Sequence, residues 1–189
     1  MFRLGCTACL FVSCLSSASM VQWKAADGGN DHWYEVRVFS ASVTWHDAAA
    51  IAAASGGYLA TLTSAQENAF VFDLSLATPN AWNRSFDPIG VWNYGPWLGG
   101  VRDNSSPSGW SWITGETWGF QSWYFNQPDS ALQKYLAFGV GVNDTPAPVW
   151  SDTFEFEPVR SLVIEYNIPT PATSVALVAS ACIARRRRR

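Results

Sequence analysis

Cysteine is missing from residues 20–167 of this 189-residue chain; Cys6, Cys9, Cys14 and Cys182 all fall in the terminal segments. The body between them can form no disulfide, offers no thiolate to a metal and contains no cysteine nucleophile. Its core must hold it together, and about 145 residues are enough to bury one. Histidine is almost as scarce. His32 lies in an alternating stretch and His46 in a helical one, with no third ligand in view, so no zinc site is expected. Basic residues are few as well. Arg3 and residues 185–189 account for half of the 12 Lys+Arg, whereas all 15 Asp+Glu lie within residues 20–184. Six basic against 15 acidic residues leave the body with a net charge of −9. That charge repels phosphates, which excludes a nucleic-acid partner, and it is compatible with cation binding. There is no nucleophile elbow, zinc motif or phosphate loop. Asp129 and Asp152 sit in no motif that would mark a glycosidase acid pair. An enzyme is therefore not expected.

Long apolar runs are absent too, for none reaches the roughly 20 residues of a spanning helix. Residues 1–19 join Arg3, an apolar run from Leu4 to Leu15, and the small residues Ser16-Ser17-Ala18-Ser19. This is the pattern of a secretory signal peptide, with a buried N-terminal helix as the alternative. Residues 168–189 contain Pro169-Thr170-Pro171, a short apolar stretch and five terminal arginines. The tail resembles the PEP-CTERM sorting signal of Gram-negative bacteria, although Thr170 stands where that signal usually has Glu. The resemblance implies an exosortase-type processing enzyme, a transient membrane anchor, and a secreted or cell-envelope location. A plain tail anchor is the other reading.

Aromatic residues are abundant, with 11 Trp and 11 Phe. They supply large buried areas, and Trp97, Trp110, Trp112 and Trp150 read as core. Residues 32–39 alternate and predict a strand. Thr44 and Asp47 open a helix that Gly56-Gly57 end, and a short strand follows at residues 58–60. Ser64-Ala65-Gln66-Glu67 is a capping box that opens a second helix, running to about Leu76. Residues 77–96, rich in Asn, Pro and Trp, read as an irregular insertion. Residues 97–100 predict a central buried strand, with further strands near 110–113, 135–141 and 161–166. Helices grouped early and strands with long loops later make an α+β domain over residues 20–167, with function in the second-half loops.

Those loops carry Gln127-Pro128-Asp129 and, 21 residues after Asp129, Trp150-Ser151-Asp152. A hard cation such as calcium needs several oxygen ligands gathered from separate loops. A sugar needs paired hydroxyl contacts and a flat aromatic face. The order Asp31-His32-Trp33-Tyr34-Glu35, Thr44-Trp45, Gly56-Gly57-Tyr58-Leu59-Ala60-Thr61, Ser64-x-x-Glu67-Asn68, Trp97-Leu98-Gly99-Gly100, Trp110 to Glu116, Trp123 and Gln127-Pro128-Asp129 resembles a bacterial C-type lectin-like domain. The resemblance implies two helices, two small antiparallel sheets and a long loop region. It also implies a calcium ion held by Gln127, Asp129, Gln133, Ser151 and Asp152, and a galactose-type sugar on Gln127, Asp129 and Asp152, with the Gln127–Pro128 bond cis. Gln133 stands in place of an expected Glu, and Ser151 in place of an Asn. Asn143-Asp144 is an alternative ligand pair. The expected partner is an extracellular glycan or matrix polysaccharide. The competing expectation is a calcium-independent scaffold of the same fold that binds a protein ligand.

Overall fold

The computed structural model describes residues 14–17, 19–87, 90–102, 109–141 and 143–167. The expected sorting tail at 168–189, and residues 1–13 and 18 of the expected leader, lie outside the described residues. In chain order the elements are β1 (Cys14–Ser17), β2 (Val21–Gln22), β3 (Trp33–Phe39), α1 (Trp45–Ala54), β4 (Tyr58–Leu59), α2 (Ala65–Ala77), β5 (Asn83–Asp87), β6 (Gly90–Arg102), β7 (Trp110–Trp112), β8 (Tyr135–Gly141), β9 (Trp150–Thr153) and β10 (Ser161–Tyr166). Among the described residues no helix is long and apolar enough to cross a membrane.

Both helices begin where side chains can satisfy their first amides. The Thr44 hydroxyl accepts from the Asp47 amide and the Ser64 hydroxyl from the Glu67 amide. The second box is not reciprocal. Glu67 turns into the core, where it accepts from the Thr63 amide at 2.7 Å and the Tyr34 hydroxyl at 2.6 Å. Past the first helix, Gly56 takes the left-handed conformation at φ 83° that releases the chain toward β4.

The central strands run β3-β10-β6-β8-β9, with β1 outside β3. Successive side chains of a strand point to opposite faces, and here both faces are covered. Val36, Leu98, Phe138 and Val163 pack with Val71 and Phe72 of α2 and a group of tryptophans. Trp97, Ala137, Leu162 and Ile164 pack with Trp45, Ala48 and Ala52 of α1. All six residues of β10 are therefore buried. The expected two sheets are continuous among the described residues, because β6 belongs to both parts. It pairs parallel with β10 at Trp97 and antiparallel with β8, with register shifts on either side of Trp97. Pro96 falls within the first shift, where a residue without an amide proton is tolerated.

The irregular insertion expected over residues 77–96 is instead mostly a hairpin. Asn83 pairs with Tyr94, and the ladder continues to Asp87 opposite Gly90. Asn and Pro suggested a loop, but the alternating Trp92 and Tyr94 carry strand propensity that pairing realises. The strand β9 was likewise unexpected.

Candidate functional site

The connection from β7 to β8 carries Gln127-Pro128-Asp129, and it is stitched to β9 before it reaches them. The Trp150 amide donates to the Ser122 carbonyl at 2.7 Å, and the Tyr124 amide to the Trp150 carbonyl at 2.8 Å. Trp150 is fully buried, its indole donating to Asn68 at 2.7 Å, so β9 is a fixed base for the loop. Asn126 then turns the chain at φ 62°, a conformation asparagine tolerates, and the Gln127–Pro128 bond is cis as the resemblance implied. Asp152 closes the arrangement. Its Oδ1 accepts from the Asp129 amide at 3.2 Å and its Oδ2 from the Ser130 amide at 3.3 Å. Arg102 holds the other side of the loop, donating to the Ser130 carbonyl at 2.9 Å.

The result is a cleft of about 350 Å³ that gathers Gln127, Asp129, Gln133, Ser151 and Asp152. Every residue expected at the site therefore lines one cavity. Their roles differ. Ser151 is buried and its hydroxyl donates to the Gly139 carbonyl at 3.2 Å, so its proton is committed to the sheet. Asp152 is 2% exposed, and burial raises its pKa; the Ser130 and Asp129 amides oppose the rise, the Asp129 charge adds to it, and Arg102 lowers it. The Oε1 atoms of Gln127 and Gln133 are buried without a hydrogen-bond partner. A buried, unpaired carbonyl oxygen costs about 1–3 kcal/mol, so two beside two carboxylates call for a donor or a cation.

No group of three His, Cys, Asp or Glu side chains able to hold a metal occurs among the described residues. A calcium ion would rest on two carboxylates, Asp129 and Asp152, and two amide oxygens, with water or ligand hydroxyls completing the six to eight oxygens it takes. That donor set is uncharged at two of its four positions and fits a low-affinity hard cation. Asp144 lies elsewhere. It accepts from the Tyr124 hydroxyl and lines a second cleft with Asn83 and Asn93, so the alternative pair does not join the site.

The cleft also contains residues the sequence reading missed: Trp92 and Tyr94 of β6, Ser130, Phe154 and Glu157. The alternation of Trp92 and Tyr94 was the available signal, hidden by the loop-like composition around it. His32 and His46 lie outside the cleft lining. His32 bonds Glu165 at 2.6 Å, and His46, on the exposed side of α1, meets Tyr135 at 3.1 Å. Glu116 tethers side chains rather than loop backbone, accepting from Thr61 at 2.6 Å and Thr114 at 2.8 Å.

No family model matches the chain. Over 88 residues, 46% of its length, it is 30% identical to a perlucin-like protein of Mytilus galloprovincialis, and the match spans about half, 49%, of that relative. Among solved structures it is similar to human lithostathine, with TM-score 0.56 and 19% identity over 78% of this chain and 87% of that one. It is also similar to a calcium-independent type II antifreeze protein, with TM-score 0.55 and 16% identity over 82% and 96%. A third is the C-type lectin CEL-I from Cucumaria echinata, with TM-score 0.52 and 21% identity over 71% and 89%. The fold is C-type lectin-like, α+β.

Proposed function

We propose that this chain is an exported glycan-binding domain that holds one calcium ion and a galactose-type sugar in the cleft of Gln127, Asp129, Gln133 and Asp152, and that it is not an enzyme. The observation carrying the reading is that two glutamine carbonyl oxygens without a hydrogen-bond partner are buried in a cleft that two carboxylates also line. When bound, the ion would supply a positive centre for a pair of ring hydroxyls. Gln127 offers both amide donors and a carbonyl acceptor, and Asp129 accepts only. This pairing orients one hydroxyl as acceptor and its neighbour as donor. Asp152 acts behind them by holding the loop amides. The galactose preference rests on the Gln-Pro-Asp resemblance. The same proposal includes the terminal readings, namely a secretory leader over residues 1–19, an exosortase-processed tail over 168–189, and an envelope or extracellular location where matrix polysaccharide is met.

A second reading has an observation of its own. Both Asp152 oxygens already accept from loop amides, which closes the loop with no cation. A calcium-independent scaffold for a protein ligand would need nothing more.

Calorimetry separates the two. Calcium added to the chelator-stripped chain is expected to give a stoichiometric heat that Asp129→Ala abolishes, and chelator is expected to release bound galactoside. No heat up to about millimolar calcium, the range of extracellular sites, with ligand retention unchanged in chelator, would favour the scaffold.

A further inference from the structure

The Asn143-Asp144 pair, unused by the calcium cleft, belongs to a second cleft of about 460 Å³. One wall is the β5–β6 hairpin, where Arg84 stands opposite Asn93, and the other is the turn between β8 and β9. The walls are pinned in place. The Asn93 side-chain amide donates to the Asp144 carbonyl at 3.1 Å. Farther along the turn, the Asn68 amide and the Ser122 hydroxyl donate to the Pro148 carbonyl at 2.6 and 2.7 Å. Trp92 lines the first cleft and its neighbour Asn93 the second, as opposite faces of one strand require, so the two clefts are separate.

Two adjacent lining residues carry buried polar atoms without a hydrogen-bond partner: the Trp82 indole Nε1, a donor, and the Asn83 Oδ1, an acceptor. Both side chains are otherwise held. Trp82 stacks on Phe138 at 6.1 Å and 29° and meets Phe72 edge to face at 6.0 Å and 79°. Asn83 Nδ2 donates to the Pro158 carbonyl at 2.7 Å. Neither can turn to find a partner without breaking those contacts, and each unpaired group costs about 1–3 kcal/mol. A fitting ligand therefore accepts at one point and donates at the next, as the C=O and N–H of a secondary amide do. Charge narrows the class further. Arg84 and Asp144 both line the cleft and cancel formally, so no net charge draws an ion. Asp144 is the single carboxylate among the described lining residues and already accepts from the Tyr124 hydroxyl, too little for a hard cation. Asn143 and Thr145, both exposed, add an amide and a hydroxyl that can meet the hydroxyls of a sugar ring.

We propose that this second cleft is a calcium-independent site for an acetamido sugar, whose acetamido carbonyl accepts from Trp82 Nε1 and whose acetamido N–H donates to Asn83 Oδ1. Asn143 and Thr145 hold the ring hydroxyls. The site lies apart from the calcium cleft and needs none of its residues, so it stands or falls independently of the galactose-type reading.

The test uses the full chain in chelator, which removes any calcium from the first cleft. Methyl glycosides of N-acetylglucosamine and N-acetylgalactosamine are titrated against those of glucose and galactose, and proton–nitrogen spectra follow the indole resonances. The Trp82 resonance is identified by its loss in Trp82→Phe. An acetamido glycoside is expected to shift it saturably, with its parent glycoside about tenfold weaker. Asn83→Ala is expected to weaken binding about tenfold, and the exposed Asn143→Ala and Thr145→Ala about threefold each. Near-ultraviolet circular dichroism reports whether each variant is folded, and the comparison of glycosides needs no variant. Equal binding of the parent sugars, or binding of N-acetyl-lysine amide as tight as that of the glycoside, overturns the assignment. So does a Trp82 resonance that no glycoside moves, the sign of one trapped water only. Each of these leaves the calcium-dependent galactose reading standing, because that is read by calcium titration of the first cleft.

Discussion

Glu165 is 1% exposed, yet it takes hydrogen bonds from separate parts of the chain. Its Oε1 accepts from Tyr58 at 3.1 Å and Tyr34 at 3.3 Å and meets His32 at 2.6 Å, and its Oε2 accepts from the Thr61 amide at 2.9 Å. Buried polar groups of this kind are tolerated because they are satisfied. Removing the carboxylate in Glu165→Ala would orphan several donors and is expected to cost about 3 kcal/mol in chemical denaturation. The pH dependence follows from His32, whose pKa is raised above 6.5, first by its hydrogen bond to Glu165, with burial opposing. Charged His32 thus favours the folded state. Its contribution is complete below the unfolded value of 6.5 and is lost as pH rises through the higher folded value. Stability measured by denaturant midpoint should fall across that window, and His32→Gln should remove this part of the slope. Glu67 is also raised, chiefly by burial, so its protonated form favours the folded state and that contribution begins to fall at its unfolded value of 4.5.

Among the elements, α2 depends on one hydroxyl that the chain states plainly. Ser64 accepts the Glu67 amide at 3.1 Å, and Ser64→Ala is expected to lose about 1 kcal/mol in denaturant titration. Because Glu67 is held by Thr63 and Tyr34 and not by the cap, that loss should leave the buried network intact. The contact between β4 and β6 is tighter. A Cβ at Gly99 would sit 2.4 Å from the Leu59 carbonyl oxygen, a backbone atom that cannot move alone. Gly99→Ala is therefore expected to cost about 1–3 kcal/mol by overpacking, read as a lowered melting temperature.

For the molecule as a whole, two core clusters lie on opposite faces of one sheet, and neighbouring residues of β10 serve both: Val163 one, Leu162 and Ile164 the other. Neither can be lost while the other survives. Unfolding followed by tryptophan fluorescence and by far-ultraviolet circular dichroism should give coincident curves with a single midpoint. Two separated midpoints would show that the α1 and α2 sides unfold independently.

What the sequence determined by itself was local. The caps at Thr44 and Ser64, the glycine stop at Gly56 and the strand β3 are each written within a few residues, and each is found as read, although β3 is buried on both faces rather than alternately. Gln127, Asp129, Ser151 and Asp152 were legible in two short motifs and line the cleft with Gln133, whereas the alternative pair Asn143-Asp144 does not. Only the tertiary structure decided what each one does. Pairing of Ser151 with Ala137 brings its hydroxyl to Gly139 and commits its proton there, while Asp152 is spent on the loop amides. Trp92 reaches the cleft only because β6 pairs with β8, and β8 with β9. Such placement depends on strand register between residues as far apart as Trp92 and Gly141, which no local pattern encodes.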